Sequence, residues 1–418
     1  MTARRRIAVT GMGVVSPAGN DLSTTMAGVV TAKATAAPIT LFDATNLPVG
    51  FACEVADLDV EGRIGAREAR RIDRSGHLAL IAAADALGDA GLAGAVADGL
   101  DPGRVAVVAG SGVGGLSTLE EQVRLHAERG REKGPRRVSP MTVPMMMANG
   151  PAALVSIAHG FTGPSLCVAT ACATGANAIG EASRLLRDGT ADIAIAGATE
   201  CAITPTAMAA FANMGALSKR ADDPGTASRP FDVDRDGFVM GEGAGFLVLE
   251  DWDHAVGRGA RIHGELLGYG TTCDAGHITA PSEDGAGAAE CLRKALASAD
   301  LSPADIRHVN AHGTSTPLND AAEARAMAAV FGAGALPVTS TKGVTGHLIG
   351  AAGAVEAAVA LVSAIDGLVP PVAGTTEVDP EIDADVVVGE ARSIEVGPVV
   401  STSFAFGGHN AALVLAPA

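Results

Sequence analysis

Val168-Ala-Thr-Ala-Cys-Ala-Thr-Gly-Ala-Asn-Ala-Ile-Gly180 sets one cysteine among small residues, where an apolar run gives way to a helical pattern. A strand, a sharp turn and a helix are the reading that decides the fold. Ala171, Ala173 and Gly175 leave the Cys172 thiol open to approach. A helix N-terminus offers unpaired N–H groups and a positive dipole end, both of which favour a thiolate. The N–H of Cys172 is itself placed to face an oxyanion. The competing reading is a buried structural cysteine, the common condition of a free thiol. Cys167, five residues earlier, is expected in the core.

The same alternation runs outward from this stretch. Arg104–Ala109 reads as a buried strand and Leu116–Arg131 as a polar, partly exposed helix. The stretches Ala191–Gly197 and Gly245–Glu250 are again short apolar runs bounded by turn signals. Strands alternating with helices point to an α/β layered fold with buried sheets. There is an internal echo. A helix over 172–187 ends at Asp188-Gly189, a second over 347–365 ends at Asp366-Gly367, and the pattern restarts near Arg261 much as it starts at Arg6.

Across 418 residues, 48% are apolar and 18% charged, enough for a sizeable core. Aromatics are only 3% and glycines number 53, so the core must be built from small aliphatic side chains with close backbone approaches. A net charge of −17 excludes general nucleic-acid binding, which needs a basic field. No apolar run is read as long enough to span a membrane. Arg4-Arg5-Arg6 ahead of Ile7–Val15 superficially resembles a secretion signal. It lacks a small-x-small cleavage site, and a first strand explains it better. Six cysteines without a C-x-x-C pair indicate a reducing cytoplasm rather than disulfides or a zinc site.

Gly110-Ser-Gly-Val-Gly-Gly115 satisfies the dinucleotide pattern G-x-G-x-x-G, but the acidic residue about twenty positions on is missing and Arg136-Arg137 stand there. Tight backbone packing is the better reading. Among ten histidines, His312 in Val309-Asn-Ala-His-Gly-Thr-Ser-Thr-Pro317 and His347 in Ser340-Thr-Lys-Gly-Val-Thr-Gly-His-Leu-Ile-Gly350 are set apart by glycines and by Thr314, Thr316 and Lys342 nearby.

Taken together, the Cys172 turn, Ser228-Arg-Pro-Phe-Asp232, Arg235-Asp-Gly-Phe238, His312-Gly-Thr-Ser-Thr-Pro317, Lys342 with His347, and Gly407-Gly-His-Asn410 resemble the β-ketoacyl-acyl carrier protein synthases of the elongating type. The match runs nearly end to end. It implies a thiolase-type fold, two fused α/β halves in a five-layer α-β-α-β-α sandwich. Residues 1–256 would carry Cys172, and 257–418 would carry His312, His347 and the gate loop. It also implies a cytoplasmic homodimer served by an acyl carrier protein, with no metal, cofactor, membrane or nucleic acid.

By resemblance, Cys172 is the acyl-accepting nucleophile, His312 and His347 assist malonyl decarboxylation, and Lys342 organises charge around them. Phe404 is the gate, its N–H completing the oxyanion site. Thr314 and Thr316 bind the pantetheine arm. Phe211, Val113, Thr142, Phe406 and Thr279 contact substrate. Of the basic clusters, Arg67, Arg70 and Arg71 match the carrier-docking stretch, whereas Arg124–Arg137 read as a solvated face.

The chain departs from the family's pattern at Ala405 for glycine, at His409 for threonine, at Gly343-Val344 for Ser-Met and at Thr142 for an aromatic. These suggest an altered pocket or gate, as in a specialised or inhibitor-resistant copy. Polyketide condensing subunits tend to a serine where this chain has Leu348, and a non-catalytic chain-length partner would lack the nucleophile. A degradative thiolase needs a second cysteine as base, and starter-type synthases pair cysteine with His and Asn.

Overall fold

The computed structural model describes residues 5–96 and 98–418; Arg4 of the basic N-terminal run lies outside them. Eleven strands form one sheet system. They are β1 (Ile7–Val15), β2 (Val105–Gly110), β3 (Ser165–Leu166), β4 (Ile193–Glu200), β5 (Gly243–Asp251), β6 (Gly264–Cys273), β7 (Val309–Asn310), β8 (Pro337–Thr339), β9 (Asp385–Val386), β10 (Val399–Ala405) and β11 (His409–Pro417). Their spatial order is β9-β8-β7-β10-β11-β6-β1-β5-β4-β2-β3.

The two sides of the β6–β1 junction have the same plan. From its outer edge one side runs β3-β2-β4-β5-β1, and the other, inside β9, runs β8-β7-β10-β11-β6. In each, the first two pairings are parallel and the next two antiparallel. Among the described residues the β6–β1 ladder is two residue pairs wide, Ala8 with Glu265 and Val9 with Gly264. This is the structural basis of the echo.

Side-chain alternation along a strand explains the layers. Val105, Val107 and Ala109 of β2 enter one core with Leu78 and Ile81 of helix Arg74–Asp89, while Ala106 and Val108 enter another with Ile179 and Leu186. A strand buried on both faces has to read as a continuous apolar run. Helices Thr174–Arg187 and Ala352–Asp366 fill the layer between the two sides. Helices Arg74–Asp89 and Gly150–His159 cover one outer face, and Ala286–Ala299 with Pro317–Phe331 cover the other. The fold is the five-layer arrangement.

Three sequence readings are corrected. Cys167 is exposed, because it follows β3, the edge strand. The run Ile349–Asp366 is long and apolar enough to cross a membrane, but 83% of it is buried as a central core helix. The second echoed helix starts at Ala352, after a 3-10 turn over Ile349–Ala351, so His347 precedes it rather than opening it. Helix Leu116–Lys133, as expected, buries only Thr118, and the basic residues on and after it are exposed.

Candidate active site

Each central helix is entered by a left-handed residue that is not glycine: Ala171 at φ 48° and Ile349 at φ 47°. Such a conformation costs on the order of 1–3 kcal/mol, so the surroundings must impose it. At the first turn they do. The Thr174 hydroxyl accepts the Thr170 N–H at 2.9 Å and donates to the Ala171 carbonyl at 2.7 Å. Asn177 donates to the Thr170 hydroxyl at 2.7 Å and accepts from the Tyr269 hydroxyl at 2.7 Å. The result presents Cys172 from a 3-10 turn at the helix mouth.

His347 Nε2 lies 3.1 Å from Cys172 Sγ. The rings of His312 and His347 stand edge to face with centroids 5.2 Å apart. The sulfur and one nitrogen of each ring all fall within 4.8 Å of one another. Soft sulfur and imidazole donors at this spacing also suit a zinc ion, which would occupy the nucleophile.

Burial sets the protonation states. It pushes the Cys172 thiol up to about 12, against the pull of Lys342 and of the main-chain N–H groups of Phe406 and Cys172. Burial thus opposes the thiolate expected at the helix mouth, while Lys342 and the two N–H groups favour it. Burial, then the Lys342 charge, holds both imidazoles well below their ordinary value; His347 further depresses His312. Both are neutral near pH 7.

Two buried carboxylates carry the His312 loop. The N–H groups of His312 and Gly313 donate to Glu323, each at 2.7 Å, and those of Thr314 and Ser315 to Asp320 at 2.9 and 3.1 Å. Lys342 Nζ meets Glu356 Oε1 at 2.5 Å, with side chains only 1% and 2% exposed. The Ser228–Asp232 motif braces both segments: the Ser228 hydroxyl donates to the Lys342 carbonyl at 2.5 Å, and the Phe231 N–H to Asp320 at 2.8 Å. Asp320, Glu323 and Glu356 were not singled out in the sequence. The only hint was acids spaced along helices next to the histidine loops.

A cavity of about 500 Å³ opens onto these groups, and Val113, Phe211, Thr279, Thr314, Thr316, Phe404 and Phe406 all line it with Cys172, His312 and His347. Thr314 and Thr316 hydroxyls are 2.9 Å apart. Lys342 sits behind the wall. Thr142 is also outside the cavity, its hydroxyl donating to the Ser139 carbonyl at 2.6 Å.

The gate assignment is corrected as well. The main-chain N–H directed at Cys172 belongs to Phe406, not Phe404. Phe404 is locked in the β10–β11 ladder opposite Asn410, its ring edge-on to His312 at 6.3 Å. Phe406 instead begins a turn whose Gly407 and Gly408 have φ of 82° and 73°, and its ring lies 6.4 Å from Phe211. Ala405 itself is extended, at φ −126°, so it bears no strain here. Gly343 is set by packing, since a Cβ there would lie 2.2 Å from the Ala373 carbonyl oxygen.

Two other sequence features resolve. In the glycine-rich loop after β2 the Gly112 N–H and the Ser111 hydroxyl are spent on the Glu200 carboxylate, so they cradle no phosphate. In the first basic cluster Arg63 pairs with Asp85, and Arg74 with buried Glu242 at 2.6 Å. Arg67, Arg70 and Arg71 are exposed, with no ion pair among the described residues.

Similarity to known proteins follows the same outline. The family model of the beta-ketoacyl synthase N-terminal domain matches residues 4–255 and that of the C-terminal domain residues 263–376. A 3-oxoacyl-[acyl-carrier-protein] synthase 2 of Synechocystis is 45% identical over 98% of this chain and 97% of its own. A crystal structure of a beta-ketoacyl synthase from Burkholderia phymatum superposes with a TM-score of 0.91 at 33% identity, covering 99% of this chain and 100% of that one. The ishigamide ketosynthase/chain length factor gives 0.90 at 34% identity over the whole of both chains. With its fold, its cysteine–histidine site and both family domains in place, the chain belongs to the β-ketoacyl synthase family.

Proposed function

We propose that this chain is a 3-oxoacyl-[acyl-carrier-protein] synthase of fatty acid elongation, an acyltransferase that joins an acyl thioester to malonyl carrier. One observation carries the reading: a buried thiol 3.1 Å from one neutral imidazole, with a second beside it, at a largely apolar cavity. The 45% identity to the Synechocystis 3-oxoacyl-[acyl-carrier-protein] synthase 2, over nearly the whole of both chains, supports elongation.

Each step balances with these groups. Cys172 sulfur attacks the acyl thioester carbonyl, its proton passes to the departing carrier thiolate, and acyl-Cys172 remains. His347 is the hydrogen-bond partner of that sulfur. The N–H groups of Cys172 and Phe406 face the oxygen that gains charge. Malonyl carrier then loses carbon dioxide, and its electron pair becomes an enolate. Neutral imidazoles suit this step, because each donates an N–H to the enolate oxygen without surrendering the proton to carbon. The carbanion attacks the acyl carbon, the new C–C bond forms, and Cys172 leaves as thiolate to be reprotonated. No metal or redox cofactor is needed.

The cognate acidic carrier docks on Arg67, Arg70 and Arg71, whose charge is not spent on intramolecular pairs; this is how a chain of net charge −17 meets an acidic partner. The chain acts as a homodimer through β3, whose outer edge is unpaired among the described residues; its own Leu166 is 46% exposed, and Ile157 on helix Gly150–His159 is 78% exposed. Residues 1–256 and 257–418 are its two halves, a division supported by the strand order. Six free cysteines suit a reducing cytoplasm.

The test is incubation with acyl carrier and malonyl carrier. A 3-oxoacyl carrier two carbons longer, lost in Cys172→Ala, is the expected outcome; no elongated product from the parent contradicts it. Light scattering should give a mass twice 41.5 kDa.

A further inference from the structure

The carboxylate of Glu200 takes part in no step above, yet it is completely buried at the end of β4. Among the described residues no cation pairs with it. It is held by donors from two segments far apart in sequence. The Ser111 hydroxyl donates to Oε1 at 2.6 Å, and the N–H groups of Gly112 and Gly350 donate to Oε2 at 2.7 and 3.2 Å. The Val113 N–H is also directed at it. Ser111 in turn accepts the Gly114 N–H at 2.7 Å, so the loop is tied at both ends.

The contact leaves no slack. A Cβ on Gly350 would lie 2.6 Å from the Gly112 nitrogen and 2.8 Å from Glu200 Oε2, and one on Gly112 would lie 2.7 Å from the same oxygen. The two segments bear on the chemistry from different sides. One carries Val113 on the cavity wall, and the other follows His347 and carries Ile349 on that wall. Burial raises the Glu200 carboxyl to about 7 while its donors oppose the rise, and its charge in turn raises the Cys172 thiol.

We propose that Glu200 is a positioning residue that clamps the cavity wall at Val113 to the His347 turn, so that acyl chain length is read against a wall fixed relative to the nucleophile. The proposal rests on Cys172 being the acyl acceptor. It assigns Glu200 a part in substrate selection, which a purely structural carboxylate would not have.

The test follows acyl-Cys172 by intact mass over a series of short to long acyl carriers, for the parent and for Glu200→Ala, Glu200→Gln and Ser111→Ala. Loosening the wall in the two alanine variants should change the long-to-short ratio of acylation rates by about tenfold, within what small misplacements cost. Glu200→Gln should keep the parental ratio, since its carbonyl oxygen still accepts from Gly112 and Gly350 while its amide donates to Ser111. Losing the negative charge in Glu200→Gln should also move the pH midpoint of Cys172 alkylation by iodoacetamide downward. If Glu200→Ala fails to fold, the Ser111→Ala ratio decides. An acylated parent whose ratio is unchanged in the alanine variants overturns the clamp alone. A parent that is never acylated overturns the function and the clamp with it.

Discussion

Gly175 in one central helix faces Ala354 in the other so closely that a Cβ on the glycine would stand 2.5 Å from the Ala354 nitrogen. The relation is reciprocal, for a Cβ on Gly353 would stand 2.8 Å from the nitrogen of Ala176. This crossing brings the two helix mouths together, and with them Cys172 and His347. Gly175→Ala should therefore push backbone against backbone, cost about 1–3 kcal/mol and lengthen the sulfur–imidazole distance. Urea unfolding and the rate of Cys172 alkylation check both effects; an unchanged midpoint and rate would show that the helices have room.

Ala405 ends β10 just before the turn that carries Phe406. Its extended backbone is unstrained, so its Cβ acts on states in which the turn moves, by narrowing what the chain can reach. Ala405→Gly should raise acylation with long chains relative to short ones by about 2- to 5-fold, the rate equivalent of ~0.4–1 kcal/mol. It should also alter inhibition by compounds that bind at Cys172. An unchanged acyl profile together with unchanged inhibition removes the gate from the account.

His308 is fully buried just before β7, and neither ring nitrogen has a hydrogen-bond partner among the described residues. Burial lowers its pKa to about 4. The unfolded chain takes up the proton first, so this residue costs nothing well above pH 6.5. Stability is lost as pH falls from there toward 4. At pH 5 the loss is about 2 kcal/mol. His308→Leu should abolish that part of the acid slope, so parent and variant differ more at pH 5 than at pH 7.5 in urea unfolding. Parallel curves would mean that the ring reaches water or a partner.

Much of this was legible in the sequence where local pattern and tertiary need agree. The apolar runs of β2, β4 and β5 are buried on both faces, and the small residues around Cys172 do mark the turn. The glycine-rich loop reads correctly as packing, although its purpose, holding Glu200, depends on a residue in another strand. Cys167 misled because an apolar neighbourhood says nothing about whether a strand is central or at an edge. The burial that opposes the thiolate went unread because a helix dipole is visible in sequence and burial is not. Phe404 and Phe406 are two residues apart, and only the ladder that fixes one and the glycines that free the other tell them apart. Glu323, Asp320 and Glu356 went unread because the spacing of acids on a helix does not show which N–H groups or which lysine each one meets once the chain folds back.

The central claim is that one thiol accepts the acyl group and two neutral imidazoles serve the decarboxylative step. The most direct test follows acyl-Cys172 and elongated product in the same reaction for His312→Ala and His347→Ala. Each variant should still form acyl-Cys172 while condensation falls by about 100-fold or more. Loss of both steps in parallel would contradict this division of labour.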